Sequence, residues 1–206
     1  LDEIGEVPLP PYIKRDYGSY NREKDMSYYQ TIFAKKKGAI AAPTAGLHFT
    51  QSLLSKIREK GANITYITLH VGIGTFKPIK EENLEEHKMF PEYFEIEEET
   101  ARLFNETKKK GKKVFACGTT TVRALEGNIT KEGFLKSRNG STNLFIYPGY
   151  KFKSIDALIT NFHLPKSTLL LLVSAFAERK EILRCYKEAI EKRYMFYSFG
   201  DAMLIL

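Results

Sequence analysis

The sequence predicts an α/β fold with a mostly parallel sheet flanked by helices. Three observations carry this. Strand-like and helix-like segments alternate along most of the 206 residues, the order produced when helices cross over between parallel strands. Four segments share one design, in which an apolar stretch gives way to small or hydroxyl-bearing residues: APTAGLHFT (42–50), LHVGIGTFKP (69–78), CGTTTVRALE (117–126) and TNFHLPKSTLL (160–170). Residues 167–177 are apolar almost all round, as expected of a helix central to a domain. In a parallel sheet all four exits would lie along one edge, where free backbone N–H groups and hydroxyls suit polar or anionic ligands.

Taken in order, residues 1–25 read as an inter-domain linker and a turn-rich segment. Pro8, Pro10 and Pro11 favour an extended path, and no signal-peptide layout is present. Residues 26–206 read as the α/β domain. A short helix is expected within 26–37. Helix 51–60 has Leu53, Leu54 and Ile57 on one face, and Gly61 stops it. The β-branched and aromatic run 64–70 predicts a strand, as does 93–96. Helix 97–110 carries acids early and lysines late, matching the helix dipole, and ends at Gly111. A strand at 113–117 turns through hydroxyls into a helix start at 122–126. Residues 128–143 are polar and read as loop. Strands follow at 144–147 and 157–160, then helices 167–177 and 178–193, and a turn and final strand at 198–206.

The totals bound the function. Hydrophobic residues make up 43% of the chain, enough for a real core. The net charge of +7 fits a phosphate-bearing partner but also fits many enzymes without one. Cys117 and Cys185 stand far apart in sequence and nothing suggests a disulfide framework, so a reducing cytoplasm is the default expectation. No apolar run approaches the roughly 18 residues of a membrane span. Of the four histidines, His48, His70, His87 and His163, no two sit at metal-ligand spacing, so no metal is expected.

His48 and His163 each fall in a turn beside small or Pro residues. There a histidine can act as general acid or base, or be held by backbone hydrogen bonds; both readings are open. Gly72-Ile73-Gly74-Thr75 contains GxG without the third glycine and helix of a dinucleotide fingerprint, and there is no GxxxxGK[ST]. Three consecutive hydroxyls, Thr119, Thr120 and Thr121, open a helix, whereas N-capping accounts for one. Cys117 and the serines have no base beside them that would suggest covalent catalysis.

The segments AAPTAGLHFT, LHVGIGTFKPI, EEHKM, GTTTVRALE, FIYPGY, DALITNFHLPKSTLLLLVSAFA and FGDAMLI, with LPPYIKR near the start, occur in this order. Together they resemble the S-adenosylmethionine:tRNA ribosyltransferase-isomerase family of queuosine biosynthesis. The resemblance spans nearly the whole chain. It implies transfer and isomerisation of the ribosyl part of S-adenosylmethionine onto 7-aminomethyl-7-deazaguanine in a tRNA anticodon loop, giving epoxyqueuosine and releasing adenine and methionine. It also implies that a β-barrel domain of the family is absent from these residues, which correspond to its α/β catalytic part. A monomer is expected.

By motif position, His48 and His163 take the base or acid role. Arg123 and Thr119–Thr121 take ribose or carboxylate contacts. Thr44 and Gly46 belong to one wall of the pocket, and Gly72, Gly74 and Thr75 to a close backbone approach. Two departures stand out. Phe90 and Pro91 replace a His and Ser of the family pattern, and residues 140–143 stand where a Trp is usual. Two other functions compete. A non-catalytic RNA-binding module of the same fold would have lost the His and hydroxyl residues at these exits, which remain. A methyltransferase would need a glycine-rich first strand exit and an acid ending the second strand, which are not evident.

Overall fold

The computed structural model describes residues 6–10, 12–14, 21–72, 74, 79–81 and 83–206. Helix α1 (Arg22–Tyr28) opens on Asn21, whose side chain accepts from the Lys24 N–H. It lies earlier than the periodicity of 26–37 predicts, because Asn21 supplies the capping oxygen that the apolar pattern does not reveal. Residues Thr44–His48 form a short 3₁₀ turn rather than a strand-to-helix exchange. Thr50 then caps α2 (Gln51–Glu59) through the Leu53 N–H. The remaining helices are α3 (Glu98–Lys109), α4 (Thr119–Glu126), α5 (Thr168–Phe176) and α6 (Arg179–Glu191), close to the predicted ranges.

The strands correct the fold expectation. Among the described residues they form two three-stranded sheets, and the sheet is not mostly parallel. In the first, β1 (Thr68–His70), β2 (Glu92–Ile96) and β4 (Arg138–Thr142) lie in the order β1-β2-β4, antiparallel throughout. In the second, β3 (Phe115–Cys117), β5 (Ala157–Asn161) and β6 (Ala202–Ile205) lie in the order β3-β5-β6. Only β3 and β5 run parallel, with Cys117 opposite Ile159, and β6 returns antiparallel with Ala202 opposite Asn161. The reason lies in the connections. A parallel pair needs a crossover element. Between β1 and β2 the described residues hold only the single 3₁₀ turn Leu84–Glu86, so the chain doubles back. β4 was expected to be loop. Its polar sequence RNGST survives as a strand because it is an edge, largely exposed, pairing only with β2. The apolar residues 144–147 form no strand; Ile146 goes into the core instead.

One apolar core joins both sheets: Phe94 and Ile96 from β2, Ala116 and Leu158 from the other sheet, and Val122, Leu125, Leu172, Val173 and Ile182 from the helices. α5 contributes Leu172 and Val173, but the helix buried most completely is α4, which packs on β3, β4 and α5. Its sequence TTTVRALE is half polar, and its two charged side chains are each engaged, although among the described residues Arg123 Nε and Nη1 are buried without a hydrogen-bond partner. Arg123 forms an ion pair with Glu92 of β2. Glu126 accepts from Tyr150 Oη–H (3.1 Å), from the Lys153 and Ser154 N–H groups and from Ser154 Oγ–H (2.6 Å). Burial of the Glu126 carboxylate is tolerated because its oxygens are satisfied in this way.

Candidate active site

The parallel pair β3–β5 brings two of the four predicted exits side by side. Gly118 follows β3 with φ +90, a conformation open to glycine but costly for other residues. That corner aims the first turn of α4 into a pocket lined by Thr119 and Thr120. The exit of β5 supplies Thr160, Asn161 and His163. The other two exits reach the same pocket by another route. The Ile40 and Ala41 N–H groups donate to the Val71 carbonyl (2.9 and 3.4 Å), so the segment before the 3₁₀ turn lies along Val71. Residues 41–45 and Val71 then complete the wall. Tyr12, Tyr197 and Ser198 close the remaining side, the Tyr12 hydroxyl bonding Ser198 Oγ (2.6 Å).

His163 is the histidine in this pocket. It is half-buried. Its Nε2 hydrogen-bonds Thr160 Oγ1 at 2.8 Å, and its backbone N–H donates to the Tyr186 hydroxyl at 2.7 Å. Tyr186 is itself buried against Phe162 and Phe196, so the turn carrying His163 is held by an aromatic cluster. Desolvation pushes the His163 imidazole down to about 4, leaving it neutral at pH 7. His48 is exposed and does not line the pocket; its Nε2 lies 3.4 Å from Asn161 Nδ2.

The other predicted residues divide. Thr44, Thr119 and Thr120 line the pocket. Thr121 does not, and its hydroxyl donates to the Cys117 carbonyl at 2.7 Å within the helix start. Arg123, 2% exposed, stands behind α4 in its ion pair with Glu92 and is not a pocket residue. Gly46 is a packing position: a Cβ there would meet Phe33 Cζ at 2.7 Å. Gly72 and Gly74 border a separate small cavity with Met89, Phe90, Pro91 and Glu92, and a Cβ on Gly74 would meet the Phe90 ring at 2.6 Å. Thr75 lies outside the described residues. Cys117 is pushed up to about 12 by burial, which keeps it a thiol. Among the described residues no group of three or more His, Cys, Asp or Glu is placed to hold a metal ion.

Sequence reasoning missed Asn161 and Thr160. Asn161, 4% exposed, accepts from Thr44 Oγ1–H at 3.0 Å and points its amide toward His48 Nε2 and the Asp201 carbonyl (3.5 Å). The available signal was a polar Thr-Asn pair directly at the end of the apolar run ALI, where a buried strand would otherwise continue.

A family model described as queuosine biosynthesis protein matches residues 1–205. The chain belongs to that family. It is 58% identical over all 206 residues to the S-adenosylmethionine:tRNA ribosyltransferase-isomerase of Halothermothrix orenii, and 54% identical to that of a Thermoanaerobacter species. It spans 59% of the length of each of these relatives. A crystal structure of the S-adenosylmethionine tRNA ribosyltransferase of Thermotoga maritima shares the fold, with a TM-score of 0.65 and 46% identity. The match covers 79% of this chain and 51% of that one.

Proposed function

We propose that the pocket between the β3 exit, the β5 exit and residues 41–45 holds S-adenosylmethionine, and that the protein carrying this chain transfers and isomerises its ribosyl part onto 7-aminomethyl-7-deazaguanine in a tRNA anticodon loop. The observation that carries this reading is a histidine held against Thr160 in a hydroxyl-lined pocket, in a chain belonging to the queuosine family.

A sulfonium acidifies the hydrogens of the adjacent C5′, so the first step needs a base that is not itself cationic. A protonated histidine beside a sulfonium would repel it; His163, pushed down to about 4, does not. In the tautomer that donates Nε2–H to Thr160 Oγ1, Nδ1 retains a lone pair for the substrate proton. Such weak basicity suits a proton already acidified by the neighbouring positive charge. Thr119 and Thr120, at the first turn of α4, offer hydroxyls and helix-terminal N–H groups to the developing negative charge. His48, exposed at the end of the 3₁₀ turn and outside the pocket lining, is assigned in this reading to the tRNA side of the reaction. A cytoplasmic monomer, with selectivity coming from an unstacked anticodon base, completes the reading.

The deciding assay incubates the intact protein with S-adenosylmethionine and tRNA bearing the precursor base. Release of adenine is expected. S-adenosylhomocysteine instead would indicate methyl transfer, and no product would favour an RNA-binding module. In the same assay His163→Ala is expected to lower turnover by about 100-fold or more, the scale of a lost acid–base group, and His48→Ala to lower it measurably. His87→Ala should leave it near wild type, because His87 bonds Glu81 (2.8 Å) and packs on Phe145 away from the pocket. Equal activity of all three variants would remove both histidines from the mechanism.

A further inference from the structure

We infer that Thr44 and Asn161 form a recognition corner of this pocket that accepts hydrogen bonds only, and so selects a ligand by a hydroxyl or amino donor. Both residues line the pocket. Asn161 lies at the end of β5 and Thr44 at the start of the 3₁₀ turn, 117 positions apart in sequence, and they meet through Thr44 Oγ1–H donating to Asn161 Oδ1 at 3.0 Å.

The orientation of the Asn161 amide decides what the corner can do. An amide can be turned over, so its assignment has to follow from its partners. The Asp201 backbone carbonyl, 3.5 Å away, can only accept, and this places Nδ2 on its side. His48 Nε2 at 3.4 Å accepts from the same NH₂ when the imidazole proton is on Nδ1. In that tautomer both Nδ2 hydrogens face the Asp201 carbonyl and His48. Oδ1 is left facing Thr44. The Thr44 hydroxyl has one hydrogen, already given to Oδ1. Among the described residues what remains unengaged is lone pairs: those of Thr44 Oγ1 and the second of Asn161 Oδ1.

A ligand group that is itself an acceptor, such as a carboxylate or phosphate, would meet repulsion at this corner. A donor would complete the network. Sites built to bond a polar group reject analogues lacking it more strongly than apolar pockets reject a missing methylene, because their own buried atoms are left unpaired. The corner thus differs from the helix end at Thr119 and Thr120, whose N–H groups suit negative charge. The pocket has a donor-rich side and an acceptor-rich side, and a ligand carrying both a hydroxyl or amine and an anionic group is oriented by the contrast. The donor read by the corner is a ribose hydroxyl or the amino group of the methionyl part.

This assignment rests on S-adenosylmethionine being the ligand, and the test separates the two. Dissociation constants of the intact protein are measured by calorimetry for S-adenosylmethionine and for its 2′-deoxy, 3′-deoxy and desamino analogues. At least one analogue is expected to bind wild type about tenfold or more weakly than the parent, and which one names the donor. Asn161→Ala and Thr44→Val should bring that ratio to within about twofold of unity, whereas Thr44→Ser, which keeps the hydroxyl, should retain it. Thr44 is half-buried, so Thr44→Val keeps the test valid should Asn161→Ala fail to fold. Wild type that binds all analogues alike, or a Thr44→Val variant that still discriminates, overturns the corner while leaving the ligand assignment standing. Wild type that does not bind S-adenosylmethionine overturns the proposed function and this inference with it.

Discussion

At the scale of the residue, the consequential feature is how differently two sequence-equivalent candidates are treated. His163 is desolvated and neutral; Arg123 is charged, buried and paired. For His163 the sign of the pH effect follows directly. Its folded form takes up a proton only near pH 4, while an unfolded imidazole does so near 6.5. Between these values the unfolded state binds more protons, so the stability associated with the neutral ring is fully present above about 6.5 and is lost as pH falls toward 4. The expected observation is that the ring resonances of His163, assigned through His163→Gln, do not titrate by NMR between pH 5 and 8. A midpoint near 6.5 would contradict the desolvated setting. For Arg123, removal of one partner of a buried ion pair takes the counter-charge from the other. Arg123→Met is expected to cost about 3–5 kcal/mol in urea denaturation, and Arg123→Met/Glu92→Leu should recover a large part of that loss. An equal loss in both would show that the pair is not the cause.

Elements are shaped here by their caps and corners. α5 illustrates the point. Its sequence TLLLLVSAF has no polar face to orient it, so its start is set by Ser167, which accepts from the Leu170 N–H (3.2 Å) and donates to the Leu164 carbonyl (2.7 Å). The second bond ties the helix to the turn that carries His163. Ser167→Ala is therefore expected to cost about 1 kcal/mol, the usual loss of a cap, and also to weaken S-adenosylmethionine binding. Thr50→Ala at α2, whose cap bonds only its own helix, should show the stability loss without the binding loss. Stability and affinity measured on the same two variants check this.

At the scale of the whole molecule, charge and connectivity matter most. The net charge of +7 gives a sequence-independent attraction to phosphates. If tRNA is the partner, the logarithm of its association constant with the intact protein should fall linearly with the logarithm of salt concentration, as measured by filter binding or anisotropy. A salt-independent affinity would place recognition outside the charge of this chain. Connectivity explains the one large correction to the fold. The alternation of helices and strands implied crossovers, yet α3 carries the chain from β2 of one sheet to β3 of the other rather than back into the same sheet.

Local signals settled a good deal on their own. Gly61, Gly111 and Ser167 punctuate helices at the positions the structure uses, and the hydroxyl-rich exits after β3 and β5 already marked the edge where the pocket lies. Capping and apolar periodicity act over a few residues, so they can be read along the chain. Strand direction, the burial of Arg123 behind α4, the packing duty of Gly46 and Gly74, and the meeting of Thr44 with Asn161 could not be read that way. Each depends on which distant segment arrives opposite, and a residue's role as ligand contact, ion-pair partner or packing surface is fixed by that neighbour rather than by its own chemistry.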